Sequence, residues 1–281
     1  MKNLDENALF LSSNVMKICD TIITDDNHRW REWQTENNKF IIVNKSNKEW
    51  IQECTKTVKN IMVKVDYIRY FEREILPHIK TPFTLVTHLS DFEVNSTHIE
   101  ILLNPYLKHW YAQNVNFDFP KLTSIPIGLE DIFFSRTNVS KILELSQQKP
   151  KKKHLIYINC GNTHPSRPMM LKTLIDMGYK TFPRTSWDNY IDIIAESKFV
   201  FCPRGNGIDT HRFWETYAAN SIPIILKKYY IERDFPDATM LVINDVSELT
   251  PEFLEQKYNE LSKVYNYDKK YLSIDYWHSS L

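Results

Sequence analysis

Short apolar runs of four to six residues alternate with longer stretches whose apolar positions recur every three to four residues. The first pattern is that of buried strands and the second that of amphipathic helices. In the first half, strands are predicted at Phe40–Val43, Ile61–Val65, Phe83–Thr87 and Thr123–Ile127. Helical spacing is predicted over Tyr67–Ile79, ended by Pro82, and over Ile101–Ala112; the first forty residues show no sustained period. The second half alternates more cleanly. Strands are predicted at His154–Asn159, Tyr179–Phe182, Phe199–Cys202, Ile222–Leu226 and Met240–Ile243, and helices at Ser166–Met177, Trp187–Ser197 and Thr210–Asn220. Pro251 opens a further helix to about Tyr265, proline being tolerated in a first turn, and 269–281 reads as helical and rich in Tyr and Trp. Strands alternating with helices build parallel sheets. The polar, lysine-rich stretch 135–153 between the two sets reads as a domain connection, and its lysines Lys149–Lys153 as a solvated connector.

Composition narrows the function classes. The 35 basic and 35 acidic side chains cancel, which disfavours a nucleic-acid binder. No apolar run approaches the ~18 residues of a membrane span, and the opening Met1-Lys2-Asn3-Leu4-Asp5-Glu6 lacks the basic start and apolar core of a secretory signal. The four cysteines, Cys19, Cys54, Cys160 and Cys202, are far apart and form no Cys-x-x-Cys pair. A soluble, cytoplasmic protein is therefore expected. His154, His164 and His211 have no ligand spacing, so no metal site is expected, and Cys202, ending an apolar strand before a proline, reads as core.

Glycine is scarce, only five in the chain, so each marks a place where the backbone needs it. Gly178 reads as a helix C-cap. Gly161 lies in Ile158-Asn159-Cys160-Gly161-Asn162-Thr163, and Gly205 and Gly207 in Cys202-Pro203-Arg204-Gly205-Asn206-Gly207; both segments follow predicted strands. In open α/β sheets ligands bind beyond the carboxyl ends of strands. The run from Phe199 to Arg212 goes strand, glycine loop, helix, with Asp209 or Thr210 able to cap that helix. Its first-turn N–H groups with Arg204 and Arg212 suit an anionic group such as a diphosphate. Glu215 lies four residues after His211 on the same helical face, where a carboxylate could accept both hydroxyls of a ribose. The plainer alternative is a tight turn in which Arg204 pairs with Asp209 or Glu215. No Walker loop and no Gly-x-Gly-x-x-Gly fingerprint occurs, which disfavours a dehydrogenase.

The run FVFCPRGNGIDTHRFWETYAANSIPIIL (199–226) resembles the C-terminal signature of exostosin-like glycosyltransferases. PFTLVTHLSDFEV (82–94), HWYAQN (109–114), KLTSIPIGLED (121–131) and YINCGNTHPSR (157–167) are similar to the same family, in its order. Members occur in plants, protists, bacteria and large DNA viruses, and an asparagine-rich, glycine-poor chain suits a virus. The resemblance implies a GT-B fold of two Rossmann-like domains facing across a cleft. Residues 1–145 would form the acceptor side, 146–265 the nucleotide-sugar-binding domain, and 266–281 a C-terminal helix packing back on the first. It implies inverting transfer from a UDP-sugar, with UDP-xylose the first expectation, to a hydroxyl of a glycan or oligosaccharide. A GDP-fucose enzyme or an inactive glycan-binding module are the alternatives.

Inversion needs a base for the acceptor hydroxyl and positive groups for the leaving diphosphate. With no Asp-x-Asp in the chain, no metal and no cofactor are expected, and Arg204, Arg212 and the helix N-terminus, supported by Arg167 or Lys227, would stabilise the leaving group. Gly205, Asn206, Asp209, Thr210, His211, Glu215, Asn159 and Asn162 complete the expected donor site. Asp91, after a strand end, is the first candidate base, with His88 and Glu93 behind it and Asp131 as a third possibility; a turn cap is the alternative role for Asp91. Trp110 and Tyr111, in a matched motif, and Asp131 are the expected acceptor contacts. Trp30, Trp33, Trp187 and Trp277 read mainly as core.

Overall fold

The computed structural model describes residues 9–11, 14–25, 38–130, 138–227 and 231–280. The chain divides into two compact units, Phe10–Ile127 with Ile274–Leu281, and Gly128–Ser273 with Leu9. Each is α/β with an all-parallel sheet. Among the described residues no helix is long and apolar enough to cross a membrane.

In the first unit the strands are β1 (Thr21–Thr24), β2 (Lys39–Ile42), β3 (Asn60–Lys64), β4 (Phe83–His88), β5 (Leu107–Ala112) and β6 (Leu122–Ser124). They pair in the order β2-β1-β3-β4-β5-β6, so the order reverses between β1 and β3 as in doubly wound sheets. Helix α1 (Lys48–Thr55) starts at Asn47, whose side chain accepts the Trp50 N–H, and a helical run of mixed turns over 65–78 packs Phe71 and Ile75 into the core. All six residues of β4 are buried, as befits a central parallel strand.

The helix expected over Ile101–Ala112 is not formed. A single turn, α2 (Ile99–Leu102), ends before Asn104-Pro105, and β5 begins at Leu107. Pro105 has no N–H to continue a helix and restricts the residue before it; the Asn104 side chain accepts the Tyr106 N–H and turns the chain instead. The apolar positions that suggested a helix lie on β5 between β4 and β6.

The second unit contains α3 (Val139–Gln147), β7 (His154–Tyr157), α4 (Arg167–Asp176), α5 (Trp187–Ala195), β8 (Ser197–Phe201), α6 (His211–Ala218), β9 (Ile222–Leu226), α7 (Ile231–Asp234), β10 (Leu241–Ile243) and α8 (Pro251–Leu261). The sheet order is β10-β9-β8-β7. No strand forms at 179–182; only the Phe182 N–H reaches the Ile158 carbonyl. Gly178 closes α4 at φ +92°, with Tyr179 N–H bonded to Leu174 O and Gly178 N–H to Ile175 O, a Schellman cap.

The stretch read as a connection holds α3, which buries Val139, Ile142 and Leu145. The Asn220 side-chain amide closes its end by donating to the carbonyls of Leu145, Ser146 and Gln148. The two compact units divide at Ile127/Gly128, so α3 belongs to the second. The lysines that follow are not all solvated either. Lys152 Nζ donates to Ala195 O, Asn220 O and Ser221 Oγ at 2.7–2.8 Å, and burial lowers its pKa to about 8.

Lys269 is more deeply buried, with its ammonium 4.2 Å from the Tyr217 ring centre and 5.2 Å from that of Tyr265. Burial first, and Lys152 second, lower its pKa to about 7. A base whose folded pKa lies below its unfolded value carries a penalty at low pH that fades as pH rises. Stability is therefore expected to climb from pH 7 to about pH 10, by at most ~1.4 kcal/mol per pH unit for each lysine. Urea unfolding of Lys269→Met across that range checks this: the variant should show a shallower slope than wild type, and equal slopes would refute it.

Candidate functional site

The two glycine-bearing segments follow adjacent strands of the second unit, β7 and β8. A cavity of about 420 Å³ opens there, lined by Glu130, Tyr157, Asn159, Gly161, Arg167, Arg184, Thr185, Trp187, Tyr190, Pro203, His211, Arg212 and Glu215. Three guanidinium groups and two carboxylates in one concave site make it strongly polar, which suits a charged, hydroxylated ligand better than an apolar one.

Helix α6 supplies one wall. Arg212, its second residue, donates to the Asn159 carbonyl, and its Nε lies 3.3 Å from the Tyr190 hydroxyl oxygen. The guanidinium sits over the rings of Tyr157 and Tyr190, 5.8 and 5.7 Å from their centres. Burial opposes its charge, but Tyr190, Cys202 and Tyr157 together outweigh that and its pKa is raised. Tyr190 donates its O–H to Glu215 Oε2 at 2.6 Å and keeps its proton; burial and then Glu215 push the phenol pKa well up. The Trp187 indole N–H reaches the other Glu215 oxygen at 3.3 Å. Each oxygen of this buried carboxylate thus takes one protein donor, and a carboxylate has about four acceptor sites. Two remain for a ligand.

His211 opens α6, and its Nδ1 is 2.8 Å from the Gly128 carbonyl. A carbonyl only accepts, so Nδ1 carries the proton and Nε2 is left as the other ring nitrogen. Gly128 sits at φ +74°, a conformation glycine takes without strain.

Arg167 ties the two glycine loops together. Its Nε, Nη1 and Nη2 donate to the carbonyls of Arg204, Gly161 and Pro203 at 2.8–2.9 Å. A Cβ on Gly205 would stand 3.3 Å from that guanidinium and from Thr163 Oγ1, which is why the loop needs glycine there. Arg184, in contrast, is exposed, lies over Gly161 and forms no ion pair among the described residues.

Of the donor residues read from the sequence, the cavity brings together Asn159, Arg167, His211, Arg212 and Glu215. Arg204 instead turns back on the carbonyls of Gly205 and Asn206. Asp209 is buried and accepts the Trp214 indole N–H at 2.8 Å and the Thr210 N–H at 2.8 Å, so it anchors the start of α6. Gly205, Asn206, Thr210, Asn162 and Lys227 do not line the cavity. Cys202 is core as expected, its thiol pKa pushed up to about 12 by burial. Glu130, Tyr157, Arg184, Thr185 and Tyr190 escaped the sequence reading. The available signals were the matched motifs that contain Glu130 and Tyr157, the place of Arg184 and Thr185 between the predicted strand at 179–182 and the helix at Trp187, and that of Tyr190 on the first turn of that helix.

In the first unit Asp91 is exposed on the bend after β4, whose Leu89 takes φ +62°. His88 is fully buried, donates from Nε2 to Pro126 O at 2.9 Å and packs edge-on against Phe10, which leaves it no access to an acceptor. Glu93 accepts from the Asn116 side chain at 2.7 Å. Trp110, expected to contact an acceptor, is core: it is fully buried and its indole N–H bonds to Thr87 Oγ1 at 2.8 Å. Tyr111 is half-buried, stacks near His109 and donates to the Ser280 carbonyl. Asp131, Trp30 and Trp33 lie outside the described residues. Among the described residues no three His, Cys, Asp or Glu side chains converge as metal ligands.

No family model matches the chain. Over 132 residues it is 31% identical to a probable glycosyltransferase of Arabidopsis thaliana, a match covering 41% of this chain. The chain spans only about a quarter of that relative's length, 27%. A glycosyltransferase thus stands among the proteins this chain is similar to.

Proposed function

We propose that the protein is a glycosyltransferase of the GT-B, exostosin-like kind, and that the cavity beside α6 binds a nucleotide sugar. The observation that carries this is the array of Arg184, Arg212 and Glu215 in one polar cavity beyond the ends of β7 and β8. Guanidinium groups hold a diphosphate by paired, charge-assisted bonds. A buried carboxylate with spare acceptor sites suits a ribose diol. The weak likeness to a probable glycosyltransferase supports the same reading.

In the proposed reaction the acceptor hydroxyl attacks the anomeric carbon as the bond to the diphosphate breaks, inverting that carbon. The hydroxyl proton passes to a carboxylate, for which Asp91 is the proposal. The negative charge that grows on the departing diphosphate is met by Arg212 and Arg184, with no metal called for in this scheme. The proposed donor is a UDP-sugar, UDP-xylose first, and the acceptor a glycan hydroxyl.

The test is nucleotide release and sugar transfer across UDP- and GDP-sugars with EDTA present. Turnover of one UDP-sugar is expected; activity that returns only with manganese would overturn the metal-free scheme, and preference for GDP-fucose would overturn the donor. Nucleotide binding without any transfer would favour an inactive module. Arg184→Ala should weaken UDP binding roughly 10- to 100-fold, the worth of a charge-assisted bond. Arg204→Ala, whose side chain serves its own loop, should change it by less than about threefold, within the range of surface substitutions. Calorimetric titration of both variants separates these expectations, and the reverse ranking would return the diphosphate to Arg204.

A further inference from the structure

Arg212 and Glu215 carry opposite charges three residues apart on α6. At that spacing helical side chains are neighbours, and opposite charges there pair. These two do not: among the described residues no ion pair joins them. One phenol stands between. The Tyr190 hydroxyl donates to Glu215 Oε2 at 2.6 Å, and its oxygen accepts the Arg212 Nε–H at 3.3 Å. A hydroxyl both gives and takes a hydrogen bond, so it can bridge two charged groups and satisfy each without cancelling either.

The remaining bonds keep to the same pattern. Glu215 takes its second donor from the neutral Trp187 indole, and Arg212 gives Nη1 to the neutral Asn159 carbonyl. Both charges are thus held by uncharged partners. Arg212 Nη2 has no hydrogen-bond partner among the described residues. Tyr190 is itself fixed, on the first turn of α5, with its ring edge-on to Tyr157 at 5.8 Å.

We infer that Tyr190 is a positioning residue of this cavity, whose hydroxyl keeps Arg212 and Glu215 from neutralising each other, so that the arginine stays available to a diphosphate. The inference rests on the nucleotide-sugar reading above. Without the hydroxyl, Arg212 Nε and Glu215 Oε2 lose their shared partner together, and the nearest replacement for each is the other. A half-buried guanidinium left without a partner is costly, which drives that closure. A diphosphate would then have to break an ion pair before it could reach Arg212.

Calorimetric titration with inorganic pyrophosphate, in the whole chain, compares Tyr190→Phe in two backgrounds. With Glu215 present the change should weaken pyrophosphate binding about tenfold, the worth of one charge-assisted bond. With Glu215→Gln already made, no carboxylate is left to capture Arg212, and adding Tyr190→Phe should move binding by less than about twofold, as independent changes do. Phenylalanine fills the same space, and a packing or folding defect would weaken both backgrounds alike; equal effects therefore overturn the inference. A crystal structure of Tyr190→Phe should show an Arg212 nitrogen within about 4 Å of a Glu215 oxygen, the reach of an ion pair. A guanidinium that has not moved towards the carboxylate overturns it equally. Wild-type protein that binds neither pyrophosphate nor UDP overturns the nucleotide-sugar reading, and this role with it.

Discussion

Under the proposed reaction, Arg212→Ala is expected to cut transfer, measured as kcat/KM on the proposed nucleotide sugar, by about 10²- to 10³-fold, the usual cost of removing one preorganised group that meets transition-state charge. The site explains why this arginine should outweigh its neighbours. Arg167 has donated from all three of its nitrogens to backbone carbonyls, and Arg184 reaches in from an exposed loop. Arg212 is held over two tyrosine rings and by bonds to Asn159 O and Tyr190, so its charge is already in place before a ligand arrives. Such preorganisation spares the reaction the work of ordering the group. Arg212→Lys should recover only part of the activity, about tenfold, because an ammonium keeps the charge but loses the planar fork. Steady-state kinetics of both variants provide the check, with UDP titration to show that binding falls along with turnover. Turnover within threefold of wild type would remove Arg212 from the leaving-group role.

The second large effect concerns stability. Trp214→Ala should destabilise the second unit by about 3–5 kcal/mol, the range for truncating a buried aromatic. Trp214 is wholly buried among Phe213, Tyr217, Phe235 and Tyr271, with ring centres 4.8, 5.9, 4.8 and 6.5 Å away. Its indole N–H is shared between both oxygens of Asp209 at 2.8 and 2.9 Å. Truncation opens a cavity and also strips a donor from a buried carboxylate. Because Asp209 holds the Thr210 N–H at the entry to α6, the loss should reach Arg212 as well. Trp214→Phe keeps most of the volume and loses only the donor, so it should cost about 1–3 kcal/mol. Urea midpoints for the two variants test the split; equal values would mean that the indole bond alone matters there, and a Trp214→Phe midpoint equal to wild type that packing alone does.

The pH dependence expected from Lys152 and Lys269 has a different origin, since neither lysine belongs to the cavity. Both sit where the sheet edge and the 265–271 segment bury them. Nothing in their local sequence distinguishes them from the exposed lysines beside them, such as Lys151.

Local chemistry carried much of the second unit. Short apolar runs of four to six residues became β7 to β10, because a strand covered on both faces needs apolar residues throughout. Gly178 announced the end of α4, and the spacing of Arg212 and Glu215 put both on one face of α6, since a helix turn repeats every 3.6 residues. The same arithmetic misread 101–112, where the apolar positions serve a strand and one proline decides between the two periods.

What the sequence by itself determined is therefore the alternation of strands and helices, the parallel sheets it implies, and the placing of a glycine loop ahead of α6. Only the tertiary structure decided which arginine faces the cavity and which binds its own backbone. Arg167 and Arg204 carry the same charge in adjoining motifs, yet their partners are carbonyls supplied by loop geometry. It also decided that Trp110 is core, that Lys269 is buried, and that Glu130 stands in the cavity with Glu215, 85 residues further along the chain. Periodicity reports the face a side chain turns to within its own element. Which groups meet across a cavity depends on loops that bring distant positions together, and no local pattern encodes that.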